Sequence, residues 1–294
     1  MSYEGLLKPV PGVKPLSSGV YLWRYVPNQL LAILFLILFM ATFVYICWKV
    51  WRTRARFCIV FAIGCFMQMV GYGVRAAVKN DTDQLMPYCI QTMFILTAPV
   101  LFAATIYMML GRVILHAGGA HHSPLKPSKI TLIFVLGDIF SFSVQGGGSG
   151  LSVIQNVELS KWSTRIVVIG LMIQIIIFGL FCVLAIIWHR RMRLVPISAI
   201  ARIAGDSPDF IHWEVDLWML YGVSLLIMVR SVFRVVEYCQ GHTGYALSHE
   251  WTLYVFDAAL MFAAAVIFCW RFPGHLGKLA RKDDGYNLGE GRSY

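Results

Sequence analysis

Three arginines and four carboxylates sit inside stretches that are otherwise apolar, and their spacing places them on shared helix faces. Arg230, Arg234 and Glu237 stand at i, i+4 and i+7, which stacks them along one stripe. Glu250 and Asp257 are seven residues apart, about 10 Å along a helix and on one face. Asp138 and Gln145 repeat that spacing and run into Gly146-Gly147-Gly148, a sequence that either lets another helix approach closely or breaks its own helix. Arg75 follows Gln68 and Tyr72, about one turn from the end of a fourth stretch. Such groups can pair with each other, grip a charged head group or pass a proton. Three arginines against four acids allow nearly complete pairing with one acid left over, and that acid is a candidate for proton uptake.

Each position carries two readings. Arg75 either snorkels outward or pairs with a carboxylate of another helix or an anionic head group. Asp138 is expected to face the bundle, because a charged side chain at the centre of a bilayer costs about 2.5–3.5 kcal/mol or more; there it either moves a proton or only joins helices. The Arg230-Arg234-Glu237 ladder is a structural ion pair or a grip on substrate, and both need it to face inward.

The elements that position these residues are transmembrane helices. With 58% hydrophobic and 14% charged residues in 294, the composition is that of a polytopic membrane protein. Apolar stretches run roughly over 28–48, 57–78, 88–111, 130–149, 166–188, 217–237 and 250–270, each about 30 Å long as a helix. The expectation is an all-α bundle of seven transmembrane helices over 28–271, between an extracellular segment 1–27 and a cytosolic tail 272–294. Residues before Asn28 have no apolar core suited to a cleaved signal, so the N-terminus is expected to be retained. No repeat argues for an inverted-repeat transporter.

Sixteen Lys and Arg fall on the side of the C-terminus and six on the other, which predicts an outside N-terminus and a cytosolic C-terminus. The net charge of +10 is thereby a topology signal, with attraction to anionic lipid, and not a sign of nucleic-acid binding. The sequon Asn80-Asp81-Thr82 lies in a short outside loop and predicts glycosylation at Asn80. Cys89 and Cys239, both at outer span ends, are left as either a pair or free thiols. All nine tryptophans fall near span ends, an aromatic belt that needs no ligand.

Other chemistries lack their residues. No Gly-x-x-x-x-Gly-Lys-Ser/Thr occurs, which argues against ATP hydrolysis by this chain. The nine lysines lie outside span interiors, which removes a retinal-type Schiff base, and the eight histidines lie in loops or at span ends, too far out to hold a haem or a buried zinc. His121-His122 is read as a solvated pair. No cofactor, metal or catalytic residue is expected.

Five motifs in order carry a resemblance. They are Gln68-x-x-Gly71-Tyr72-x-x-Arg75; Ala98-Pro99-x-x-x-Ala103-Ala104-x-Ile106-Tyr107-Met108-x-x-Gly111-Arg112; Gly137-Asp138-x-x-Ser141-x-x-x-Gln145-Gly146-Gly147-Gly148; Phe233-Arg234-x-x-Glu237; and Glu250-x-x-x-Tyr254-x-x-Asp257. Over roughly residues 20–275 the chain resembles the fungal lipid-translocating exporters, proteins similar to those conferring resistance to aminocholesterol. The resemblance implies export or flipping of sphingoid bases and other amphiphiles, and tolerance of toxic lipids or drugs. It maps Arg75, Asp138, Gln145, Arg234, Glu237, Glu250 and Asp257 as a polar core. One departure is Gln68, where the family usually has a glutamate; the amide hydrogen-bonds but does not titrate.

The mechanism expected from these readings has an amphiphile entering sideways between helices. Asp138, Glu250 and Asp257 hold its head group while its tail stays in lipid, which lowers the cost of several kcal/mol for carrying an unpaired polar group through hydrocarbon. Uphill movement would draw on protons or on the membrane potential, about 2.3 kcal/mol per charge per 100 mV. The partners are membrane lipids and an amphipathic small molecule, with oligomeric state left open. The plasma membrane is the expected location, an internal membrane the alternative. Two rivals remain. A seven-helix receptor fits the topology, although Leu110-Gly111-Arg112-Val113 has no acid before its arginine and the last span lacks Asn-Pro-x-x-Tyr. An intramembrane lipid-modifying enzyme would use the carboxylates as acid and base.

Overall fold

Seven long helices make up most of the described residues. The computed structural model describes residues 14–15, 21, 23, 25–78, 84–151, 157–194, 213–240, 244–274 and 276. The helices are α1 (Gln29–Thr53), α2 (Ile59–Ala77), α3 (Leu85–His116), α4 (Pro127–Leu151), α5 (Val157–Arg193), α6 (Trp213–Gln240) and α7, which runs through Glu250–Leu253, Tyr254–Ala259 and Leu260–Trp270. No strand occurs among the described residues. All seven are long and apolar enough to cross a membrane, as the hydropathy pattern predicts. Most run several residues past the apolar stretches, because intrahelical hydrogen bonding continues into the interface after hydrophobicity ends. Expected segments 1–27 and 272–294 lie largely outside the described residues, as does Asn80.

Successive helices pack side by side, and α1 returns to α7, closing the ring. α3 lies inside it, touching α2, α4, α5 and α6. Burial follows: 61% of the apolar window of α3 is enclosed, against 28% in α1, α4 and α5, which form the lipid-facing wall. Phe102, Ile106, Tyr107, Met109 and Leu110 of α3 are fully enclosed, and Phe102 and Phe268 stack on opposite sides of Phe61 at 4.1 and 4.0 Å.

Local chemistry sets several helix ends. Asn28 caps α1 by accepting from the Leu30 and Leu31 amides, and Arg54 closes it in the left-handed region at φ 56°. The Gly146-Gly147-Gly148 run does not break α4, which continues to Leu151. It serves close approach at one position: a Cβ on Gly148 would meet Val167 Cγ2 at 2.9 Å, and its carbonyl accepts from Ser163 Oγ at 2.8 Å. Gly170 of α5 does the same in the other direction, because a Cβ there would meet Gln145 Cγ at 2.7 Å.

Within α7 the six residues Tyr254–Ala259 form a π-helix. The wider turn changes the register between Glu250 and Asp257, so the two acids, predicted to share one face, address different helices.

Candidate functional site: two paired nodes and one unpaired acid

The first node gathers where α1 and α7 begin and α2 ends. Arg75 is 1% exposed, so the outward-snorkelling reading is wrong; the carboxylate pairing is what occurs. Arg75 Nη2 donates to Glu250 Oε1 at 2.8 Å and to the Tyr25 hydroxyl at 3.0 Å, while Nε donates to the Tyr254 hydroxyl at 3.1 Å. Its guanidinium lies 5.3 Å from the ring centroid of Trp23 and 5.5 Å from that of Tyr254. Glu250 also accepts from the Asn28 amide at 2.8 and 3.0 Å, which ties α7 to the cap of α1. Enclosure pushes the Tyr25 hydroxyl above the usual tyrosine range, while Arg75 pulls the other way.

The second node joins α6 to α7. Asp257 accepts from Arg230 Nε through Oδ1 and from Arg234 Nη2 through Oδ2 at 2.8 Å, and Arg234 Nη1 donates to Glu237 Oε2 at 2.7 Å. The ladder faces inward and is a salt-bridge network: Arg230, Arg234, Glu237 and Asp257 are all at most 8% exposed. Arg230 Nη2 donates further to the Ile95 carbonyl at 3.3 Å. That carbonyl is free because residue 99 is proline: with no N–H at Pro99, the helical bond to Ile95 is missing, and the guanidinium replaces it.

Both nodes are neutral, one cation to one acid in the first and two to two in the second. The surplus acid is Asp138, 1% exposed and facing inward on α4. Its Oδ2 accepts from the Tyr107 hydroxyl at 2.8 Å, and its Oδ1 has no hydrogen-bond partner among the described residues. Phe134, Phe178 and Phe181 surround Tyr107, with centroids 5.5, 6.1 and 4.6 Å away. No hydrogen bond or ion pair among the described residues joins Asp138 to either node. Gln145, a helical stripe away, donates to Gln174 of α5 at 2.9 Å.

Gln68 is fully buried with neither amide atom hydrogen-bonded among the described residues, and the Tyr72 hydroxyl is likewise unpartnered. The Tyr72 ring stacks on Phe39 and lies within electrostatic reach of Asp257, Arg75 and Arg234. Cys89 and Cys239 are free thiols. Trp23 and Trp188 are buried at 3% and 0%, so the tryptophan belt is incomplete: the first packs on Arg75, and the second donates from its indole to the Gly119 carbonyl at 3.2 Å.

Several partners escape the sequence reading. Tyr25 precedes the first span and carries no periodic signal. Gln174 stands alone in an apolar helix. Asp216, fully buried, pairs with Arg271 at 3.6 Å; it falls just before the predicted start of its span. Pro99 frees the Ile95 carbonyl, but nothing in the chain names the cation that takes it.

The family described as RTA1 like protein matches residues 61–279. Protein RTM1 of Saccharomyces cerevisiae is 38% identical over 211 residues, 70% of this chain and 63% of that protein. Protoporphyrin uptake protein 1 of the same yeast is 36% identical over 213 residues, 71% and 66% of the two chains. Sphingoid long-chain base transporter RSB1, also from that yeast, is 25% identical over 248 residues, 74% and 64%. The chain thus spans just under two thirds of the length of these relatives. No solved structure matches it.

Proposed function

Because the chain belongs to the RTA1-like protein family, an assignment that agrees with its seven apolar helices and makes it an integral multi-pass membrane protein, we propose that it moves amphipathic, lipid-like compounds between bilayer leaflets, with a sphingoid-base-like amphiphile as substrate. One relative is named a sphingoid long-chain base transporter and another a protoporphyrin uptake protein, which supports a lipid-like cargo.

Asp138 carries the reading. It is the one acid of the four singled out in the spans that has no cation among the described residues, so an ammonium head group supplies the charge that Arg75 supplies to Glu250 and that Arg230 and Arg234 supply to Asp257. Tyr107 orients the carboxylate, and the aromatic rings around it offer faces to the same cation. Leu136, Ile139 and Phe140, 50–59% exposed on the same helix, form the lipid-facing wall past which the tail stays in hydrocarbon. Glu250 and Asp257, expected to share in holding the head group, instead lock α1, α2, α6 and α7 together as the rigid half against which α4 and α5 work. In this reading the Arg75 node faces the outside, which the distribution of Lys and Arg between the loops supports. Export of toxic amphiphiles gives tolerance of them.

Vesicle reconstitution with a fluorescent sphingoid base tests this. The native chain is expected to exchange the probe between leaflets faster than empty vesicles, and Asp138→Asn to fall to the empty-vesicle rate. A native rate no higher than that of empty vesicles overturns the proposal.

A further inference from the structure

A groove of about 620 Å³ lies between α5 and α6, at the end of the bundle where α5 finishes and α6 starts. Its volume is that of a site for one small ligand, typically ~300–1,000 Å³. None of its lining residues belongs to either node or hydrogen-bonds to Asp138. Polarity changes along its length. At one end stand His189, Arg190 and Arg193; at the other, Ile186, Leu225 and Met228.

The polar end is cationic. Arg193 shares its charge with Glu214 at 3.2 Å, both half-exposed, whereas Arg190 has no ion-pair partner among the described residues. Among the described residues, two arginines against one acid leave the mouth net positive. His189 is 9% exposed, with Nδ1 engaged by the Tyr221 hydroxyl at 3.1 Å; that hydroxyl also reaches the Ala185 carbonyl at 3.3 Å. Nε2 is left buried and without a hydrogen-bond partner among the described residues, a polar atom held in place beside the groove. The apolar end opens sideways: Leu225 is 64% and Ile186 46% exposed, on faces that meet acyl chains in a bilayer.

We infer that this groove binds a single-chain phosphate-bearing lipid, its phosphate against Arg190 and Arg193 with His189 beside it, and its acyl chain along Ile186, Leu225 and Met228. Guanidinium groups recognise phosphate oxygens with charge-assisted, often bidentate hydrogen bonds. The lateral opening selects a lipid over a soluble anion, because half of the groove is a surface that only a hydrocarbon chain covers. This site differs in charge from Asp138, which has no cation and suits an ammonium. Its existence does not rest on transport.

The test uses the purified full chain in neutral detergent, with oleoyl lysophosphatidate as probe. Native mass spectrometry is expected to show one saturable adduct per chain. Arg190→Gln combined with Arg193→Gln should weaken it at least tenfold, and lysophosphatidylcholine, whose head group is zwitterionic, should bind at least tenfold more weakly. Ser224→Phe fills the groove from its buried wall and should abolish the adduct; Leu225→Trp, on the exposed edge, obstructs it without entering the core and serves if Ser224→Phe does not fold. Adducts that accumulate without saturation, or that survive the arginine replacements unchanged, would show only annular attraction to a basic rim and overturn the inference. Displacement by inorganic phosphate at equal concentration would mark a soluble-anion site and overturn it as well.

Discussion

The two charge nodes of α1, α2, α6 and α7 and the Asp138 site of α3, α4 and α5 solve the same problem in opposite ways. In the nodes every buried charge meets its opposite: Arg75 with Glu250, Arg230 and Arg234 with Asp257, and Arg234 again with Glu237. At Asp138 the acid has, among the described residues, one hydroxyl donor and no cation. Charges that are already paired hold helices together and have little left for a ligand. An uncompensated acid contributes little to holding helices and is free to meet a charge that arrives from outside the protein.

The largest expected effect comes from breaking a node. Asp257→Ala leaves Arg230 and Arg234 buried without their shared acid, and uncompensated buried charges of this kind cost about 3–5 kcal/mol. The variant should lose most of its folded population in detergent, read by size-exclusion profile and thermal unfolding. Asp138→Asn should behave differently. The amide keeps an acceptor for Tyr107, so unfolding temperature should stay near native while sphingoid-base exchange falls to background. If Asp138→Asn unfolds as readily as Asp257→Ala, the contrast between the two regions is gone.

A double replacement sharpens the comparison. Arg75→Met and Glu250→Leu should each cost about 3 kcal/mol singly, since each strands its partner, yet together cost much less because no lone charge remains. A double-mutant cycle on thermal or denaturant unfolding reads the coupling. Additive losses would mean that Tyr25, Tyr254 and Asn28 hold the node without the ion pair. Tyr107→Phe stands lower, about 1 kcal/mol for one hydrogen bond. It should reduce exchange more than stability, because it frees Asp138 Oδ2 from the one orienting donor that the described residues give it.

How much of this was legible follows from what sequence periodicity can report. Hydropathy located all seven helices, because a bilayer demands about 20 apolar residues per crossing. The cost of charge in hydrocarbon turned Asp138, Arg234 and Asp257 inward and left Arg75 open between snorkelling and pairing, and the count of three cations to four acids anticipated a surplus carboxylate. Which acid it would be was not legible. Pairing depends on which helices are neighbours, and on the π turn of Tyr254–Ala259 that separates the facings of Glu250 and Asp257. The resemblance implied one polar core; the ring order instead puts α4 beside α3 and α5, and no hydrogen bond or ion pair among the described residues joins Asp138 to the nodes. Asp216 and Tyr25 escaped for a simpler reason, since both stand at span edges where polar residues are ordinary.

Pro99 offers the smallest and most local perturbation. In Pro99→Ala the new N–H can close the helical bond to the Ile95 carbonyl, the group that Arg230 Nη2 reaches at 3.3 Å. Removing a proline from a helix interior favours the helix, while Arg230 loses part of one of its two partners, and the opposing terms should leave stability within about 1 kcal/mol of native. The change should nonetheless loosen α6 from α3, because that bond is a direct polar link between the paired half and the central helix. Amide hydrogen exchange along 226–237 should speed up, with exchange around Asp138 unaltered. Faster exchange at Asp138 as well would show that α3 transmits strain between the two regions, and would replace the picture of independent halves with a coupled one.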